Sequence, residues 1–382
     1  MDAPRSLPVR RRTVLAAAGA AVAAASAGAT SAAAAGRTRD RTSAAPTALT
    51  ARQTAGQRVI YSYPGLTVPS ALLATISAGE AAGVIFFGEN ISSESQIAAV
   101  VQQLAAANAA SPVKAPLLLM TDQEGGEVRR LPGAPALSEK QVGEAAQPQT
   151  AATQAGTGAG TNLAGVGMNV NLAPVLDVYY TAGNFVDKYQ RSYSSSASTV
   201  STLGKAFITA QQATGVAATA KHFPGLGAAT AAQDTDAGPV TLTQSLSKLR
   251  GVDELPYQAA IAAGVRLVMV SWAVYPALDA TAPAGLSATV VQQELRGRLG
   301  YTGVTVTDAL EAGAISASYD TAQRALLAAG AGMDLLLCSA RDTSQGDDAA
   351  QALAGAYTSG QLPAAAFDAA VQRVTALRTS LS

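Results

Sequence analysis

Eight short apolar runs punctuate the chain: Val59–Tyr61, Val84–Phe87, Leu117–Met120, Val170–Val175, Val216–Ala220, Leu267–Val270, Val304–Val306 and Met333–Leu337. A strand with one wet face alternates apolar and polar residues; these runs do not, so both of their faces must be covered. Between them lie segments of helical period. Ile97, Val100, Val101 and Leu104 follow a capping box at Ser93 and Gln96. Val290, Val291, Leu295 and Leu299 follow Ser287 as N-cap and end at Gly300. Continuous strands alternating with helices predict an α/β fold with a parallel sheet under helices. Eight such units over roughly 335 residues fit a single (β/α)8 barrel of the TIM type. A doubly wound open sheet is the runner-up, but no G-x-G-x-x-G follows its first strand. Crossovers averaging about 40 residues leave no room for a second domain.

The N-terminus has a different character. Arg11-Arg12-Thr13-Val14-Leu15 opens an Ala-rich apolar stretch, and Ala33-Ala34-Ala35 supplies a peptidase site, so residues 1–35 read as a twin-arginine export signal. Alanine and glycine give this stretch too little hydrophobicity for an anchor helix. Residues 36–48, with Arg37, Arg39, Asp40, Arg41 and Pro46, lack periodicity and read as a linker, leaving 49–382 as the folded domain. The mature chain is expected outside the cytoplasm, with no membrane span after cleavage. Its one cysteine, Cys338, ends an apolar run and reads as a buried, inert thiol.

Charge narrows the partners. The whole chain has 26 basic and 26 acidic side chains; without residues 1–35 it has 22 and 25. A phosphate backbone gains nothing from that balance, so nucleic acid is not an expected partner. In a barrel, function belongs at the C-terminal strand ends, and polar residues gather there: Thr121-Asp122-Gln123-Glu124-Gly125-Gly126, Asp177, Lys221-His222-Phe223-Pro224-Gly225 and Thr307-Asp308. Each has a plain structural alternative. Asp308 before Ala309-Leu310 would suit a helix N-cap, His222 could be a satisfied core residue, and Glu124-Gly125-Gly126 could be merely a turn.

These strand ends, taken in order, resemble glycoside hydrolase family 3, specifically its single-domain bacterial β-N-acetylglucosaminidases. The likeness runs from about Leu49 to the C-terminus. It includes Gly83–Phe87 with Asn90, Asp122 through Leu131, Asn169 through Asp177, Arg191-Ser192-Tyr193, Lys221 through Gly225, and Thr307 through Leu310. The resemblance implies retaining hydrolysis of a β-linked amino sugar of cell-wall or chitin origin, by a monomer, without metal or organic cofactor. It puts Asp308 in the nucleophile's place, and Asp122, Arg130, Arg191, Lys221 and His222 in places that hold sugar hydroxyls.

Two departures from the family pattern matter. After Lys-His-Phe-Pro-Gly, the family loop ends in Asp-Ser-His, whose histidine serves as acid/base; here it reads Gln233-Asp234-Thr235-Asp236. His222 is the only histidine, so a loop Asp–His dyad cannot form. Asp236 or Asp234 could be the acid if apolar neighbours and mutual repulsion raise its pKa; the alternative is a solvated loop with ordinary carboxylates. The second departure is Trp272, where relatives tend to carry histidine; it could stack on a sugar or simply pack. The resulting expectation is an exported retaining β-N-acetylhexosaminidase-like glycosidase with Asp308 as nucleophile and Asp236 as acid/base. Its rival is a saccharide-binding protein on the same barrel that has lost turnover.

Overall fold

A computed structural model describes residues 48–381. The expected export signal at 1–35, and the linker at 36–48 except its last residue, lie outside the described residues. Each apolar run forms or overlaps one strand of a closed parallel barrel: β1 (Val59–Tyr61), β2 (Gly83–Ile85), β3 (Leu118–Thr121), β4 (Val170–Asn171), β5 (Ala217–Phe223), β6 (Leu267–Val270), β7 (Val304–Ala309) and β8 (Leu335–Leu337). Neighbours in sequence are neighbours in the sheet, and β1 closes the ring by pairing with both β2 and β8. A helix follows every strand, as right-handed crossovers between parallel neighbours require.

The pleat explains the unbroken apolar runs. Ile60, Leu118, Met120, Leu267, Met269, Val304 and Val306 fill the barrel interior, whereas Val59, Tyr61, Leu119, Val268 and Val270 join the layer beneath the helices. Both sets are buried, so these positions have no water to favour a polar side chain. Val374 and Leu377 of the last helix, Ala364–Thr379, join the interior cluster, and Arg378 donates to the carbonyls of Ala115 and Pro116 ahead of β3. That helix therefore covers the N-terminal end of the barrel and leaves the C-terminal end for the site. Cys338 is fully buried, which raises its thiol pKa.

Two local expectations come out differently. Ser93 Oγ caps its helix by accepting from Gln96 N at 3.1 Å, but Gln96 Oε1 accepts from Ser92 N, so the box closes one residue early. The segment after Ser287 winds as a π-helix over Thr289–Arg298, with Leu299 N donating to Glu294 O at 3.0 Å. Val290, Val291 and Leu295 remain buried, because one face of either kind of helix collects residues four or five apart.

Candidate active site

At the C-terminal mouth of the barrel lies a cleft of about 430 Å³. Asp122, Arg130, Arg191, Lys221, His222, Asp236 and Asp308 all line it. They come from distant positions: the end of β3 and the hairpin after it, the loop after β4, the end of β5 and its long following loop, and the end of β7. A parallel barrel collects them because every strand end points to one rim.

Charge organises the wall. Lys221 Nζ lies 2.8 Å from Asp122 Oδ1 and 2.7 Å from Glu124 Oε1. Arg191 clasps the same Glu124 through Nε at 2.9 Å and Nη2 at 2.8 Å. Burial by itself would raise the Glu124 carboxyl; the charges and hydrogen bonds of Arg191 and Lys221 overcome it and hold the group down to about 2. Lys221 is likewise buried, a condition that would lower its pKa, yet Asp122 and Glu124 raise it. Glu124 is only 2% exposed and does not line the cleft, so it fixes two cations that do. Arg130 has its Nε buried without a hydrogen-bond partner.

His222 is paired with Asp177, a residue the motifs place at a strand end without a role. Asp177 Oδ1 accepts from Leu226 N at 2.7 Å, and Oδ2 lies 2.8 Å from His222 Nδ1. With a carboxylate facing Nδ1, that nitrogen carries a proton and donates to Asp177. The chain thus has an Asp–His pair, but it joins the ends of neighbouring strands and is not the loop dyad of the family pattern.

The two candidate catalytic carboxylates have different settings. Asp308 is half-buried at the end of β7, with Oδ1 accepting from Ala309 N at 2.8 Å. Trp272 is 1% exposed and donates from Nε1 to Ala309 O at 2.8 Å. It therefore steadies the peptide next to Asp308 and is no stacking platform. Asp236 stands on the loop after β5. Burial in the cleft, reinforced by the carboxylates of Asp308 and Asp234 and opposed by His222 and Arg191, raises its carboxyl to about 6. The residue is exposed at the rim, so water and salt weaken both the burial contribution and the repulsion.

Several lining residues carry no motif signal. Phe185 lines the cleft and meets Tyr189 edge-on, with ring centres 6.0 Å apart. Arg341, at φ +58°, lays its guanidinium 4.5 Å from the centre of the Phe87 ring. Glu311 accepts from Ser339 Oγ at 2.8 Å and so fixes the loop that holds Arg341. Glu311 and Arg341 leave only a positional trace in the sequence, within a few residues of a strand end, and Phe185, well beyond the end of β4, leaves none.

Comparison with known proteins places the chain in a family. Residues 64–377 match the family model described as the glycosyl hydrolase family 3 N-terminal domain. An uncharacterized secreted glycosyl hydrolase of Arthroderma benhamiae is 45% identical over 342 residues, covering 89% of this chain and 96% of that protein. Beta-hexosaminidase A of Pseudoalteromonas piscicida is 31% identical, over 82% of this chain and 56% of its own length. Among solved structures, a β-N-acetylhexosaminidase from Beutenbergia cavernae superposes with a TM-score of 0.78 at 34% identity, over 87% of this chain and 99% of that one. A family 3 β-N-acetylglucosaminidase from Paenibacillus sp. gives 0.82 at 35%, over 87% of this chain and 63% of that one. With a saccharide-sized polar cleft at the barrel mouth and matches along nearly its whole described length, this chain belongs to glycosyl hydrolase family 3 and is a β-hexosaminidase-like glycoside hydrolase.

Proposed function

We propose that the protein is an exported, monomeric, retaining β-N-acetylhexosaminidase acting on amino-sugar saccharides from cell walls or chitin, with Asp308 as nucleophile and Asp236 as acid/base. One observation carries the mechanism: Asp236 and Asp308 share one cleft, and burial together with neighbouring carboxylates raises the Asp236 carboxyl to about 6. A carboxyl raised in this way keeps the proton that a general acid must give to the leaving oxygen. In the first step an Asp308 oxygen bonds to the anomeric carbon, the glycosidic C–O bond breaks, and the Asp236 proton passes to the leaving oxygen. In the second, Asp236 takes a proton from water as that water's oxygen bonds to the anomeric carbon and the Asp308 ester bond breaks. Lys221, His222, Arg191, Asp122 and Arg130 would hold the sugar hydroxyls meanwhile. The twin-arginine reading of residues 1–35 supports export, as does the likeness to the secreted Arthroderma hydrolase. No helix among the described residues is long and apolar enough to cross a membrane.

The test combines product stereochemistry with leaving-group dependence. Proton NMR of the first product should show the β-anomer, and Asp236→Ala should lose about 100-fold or more on an alkyl glycoside but far less on a nitrophenyl glycoside at the first step. An α-anomer first product would refute retention. Equal rates for wild type and Asp236→Ala on both substrates would refute Asp236 as the acid.

A further inference from the structure

The loop bearing Asp236 is fastened at both ends. Near its start, Tyr180 N and Asn184 Nδ2 donate to Gly227 O at 2.9 and 2.6 Å, and Phe185 N donates to Ala229 O at 3.2 Å. Near its end, Val274 N donates to Val240 O at 2.8 Å. The stretch that carries the acid has a separate support. Among the described residues, the hydrogen bonds reaching Thr235 and Asp236 from outside the loop come from Gly313 N to Asp236 O at 2.9 Å and Ala314 N to Thr235 O at 3.0 Å. Within the loop, Asp234 Oδ1 accepts from Asp236 N at 2.9 Å and tightens the turn. Gly313 opens the short helix Gly313–Ser316, five residues beyond Asp308 on the same chain segment.

Why a glycine stands there follows from space. Gly313 is not among the residues with positive φ, so its backbone does not require glycine. A Cβ on it would lie 2.6 Å from Ala237 O, 2.7 Å from Ala237 C and 2.8 Å from Asp236 O. These are backbone atoms, which have no rotamer to turn away, so any side chain here must push the loop outward. We infer that Gly313 is a positioning residue for acid/base catalysis: its missing side chain lets the segment after the nucleophile grip the acid-bearing turn directly, tying Asp236 to Asp308 through a few residues of backbone. The inference rests on Asp236 being the acid, as proposed above.

Displacing a catalytic group by a fraction of an ångström to an ångström costs up to about 100-fold in rate, and the loss must follow the need for protonation. Gly313→Ala is measured beside Asp236→Ala and the double variant, using alkyl and nitrophenyl β-glycosides of the glycone the enzyme turns over. Thermal unfolding establishes that each variant is folded. The expected result is a fall in kcat/KM of about 10- to 100-fold on the alkyl glycoside and only a few-fold on the nitrophenyl glycoside for Gly313→Ala. Once Asp236 is alanine, adding Gly313→Ala should cost nothing more on the alkyl substrate. Ala314→Pro removes the second donor within the first turn of a helix, where proline is tolerated; it should show the same leaving-group pattern at smaller size. Equal losses on both substrates, or full additivity with Asp236→Ala, would overturn the assignment of Gly313. If Asp236→Ala itself lowers both substrates equally, the acid assignment fails first and takes this inference with it, and the two failures remain distinct.

Discussion

Asp236 and Asp308 have the same side chain and differ in what surrounds them, and the account of catalysis depends on that difference. A general acid must carry its proton, so with Asp236 near 6 the value of kcat/KM on a glycoside with a poor leaving group should fall as pH rises through about 6. Asp234 contributes to the rise by charge repulsion while its Oδ1 holds Asp236 N. Asp234→Asn keeps an acceptor but removes the charge, so Asp236 ionises more easily and the basic limb of the profile moves to lower pH. A limb that stays in place in Asp234→Asn, or a profile flat between pH 5 and 8, would count against the acid assignment. At this scale the site was only partly legible from sequence. Asp122, Lys221, His222 and Asp308 stand directly on strand ends, where a polar residue after an apolar run is conspicuous. Asp177 stands there too, but its partnership with His222 depends on two strands lying side by side, which spacing does not encode. Gly313 and Arg341 matter through contacts across loops, and nothing in their local sequence announces either.

Glu124 works at the scale of elements. It joins the hairpin after β3 to the loop after β4, through Arg191, and to the end of β5, through Lys221. Removing one partner of a buried ion pair leaves an uncompensated charge, which costs about 3–5 kcal/mol. Glu124→Gln should therefore lower the unfolding free energy by about that much in urea at neutral pH; a change below about 1 kcal/mol would mark the cluster as behaving like a surface pair. The native Glu124 carboxyl is held down to about 2, below its ordinary value. Its contribution is therefore present in full above the ordinary carboxylate range and is lost as pH falls toward 2, where wild type and variant should converge. Elements were read well from sequence where burial dictated composition: all eight strands coincide with or overlap the apolar runs, because both faces are covered. Reading failed for the turn after Ser287, since the π-helix buries the same Val290, Val291 and Leu295 that an α-helix would.

For the whole molecule, the barrel brings seven predicted residues from six chain segments to one cleft, while the C-terminal helix covers the opposite end. The proposed mechanism has one requirement, that the carboxylate at the end of β7 attack a glycone that Asp122, Arg130, Arg191, Lys221 and His222 would hold. The most direct test is hydrolysis of aryl β-N-acetylglucosaminide, β-glucoside and β-xyloside by the mature protein and by Asp308→Asn. The account predicts turnover preferring the N-acetylglucosaminide, and a loss of at least about 1,000-fold in the variant with its fold intact. Preference for another glycone would contradict the amino-sugar assignment. Undiminished turnover by Asp308→Asn, or saccharide binding by the wild type with no turnover of any of the three, would contradict the central claim.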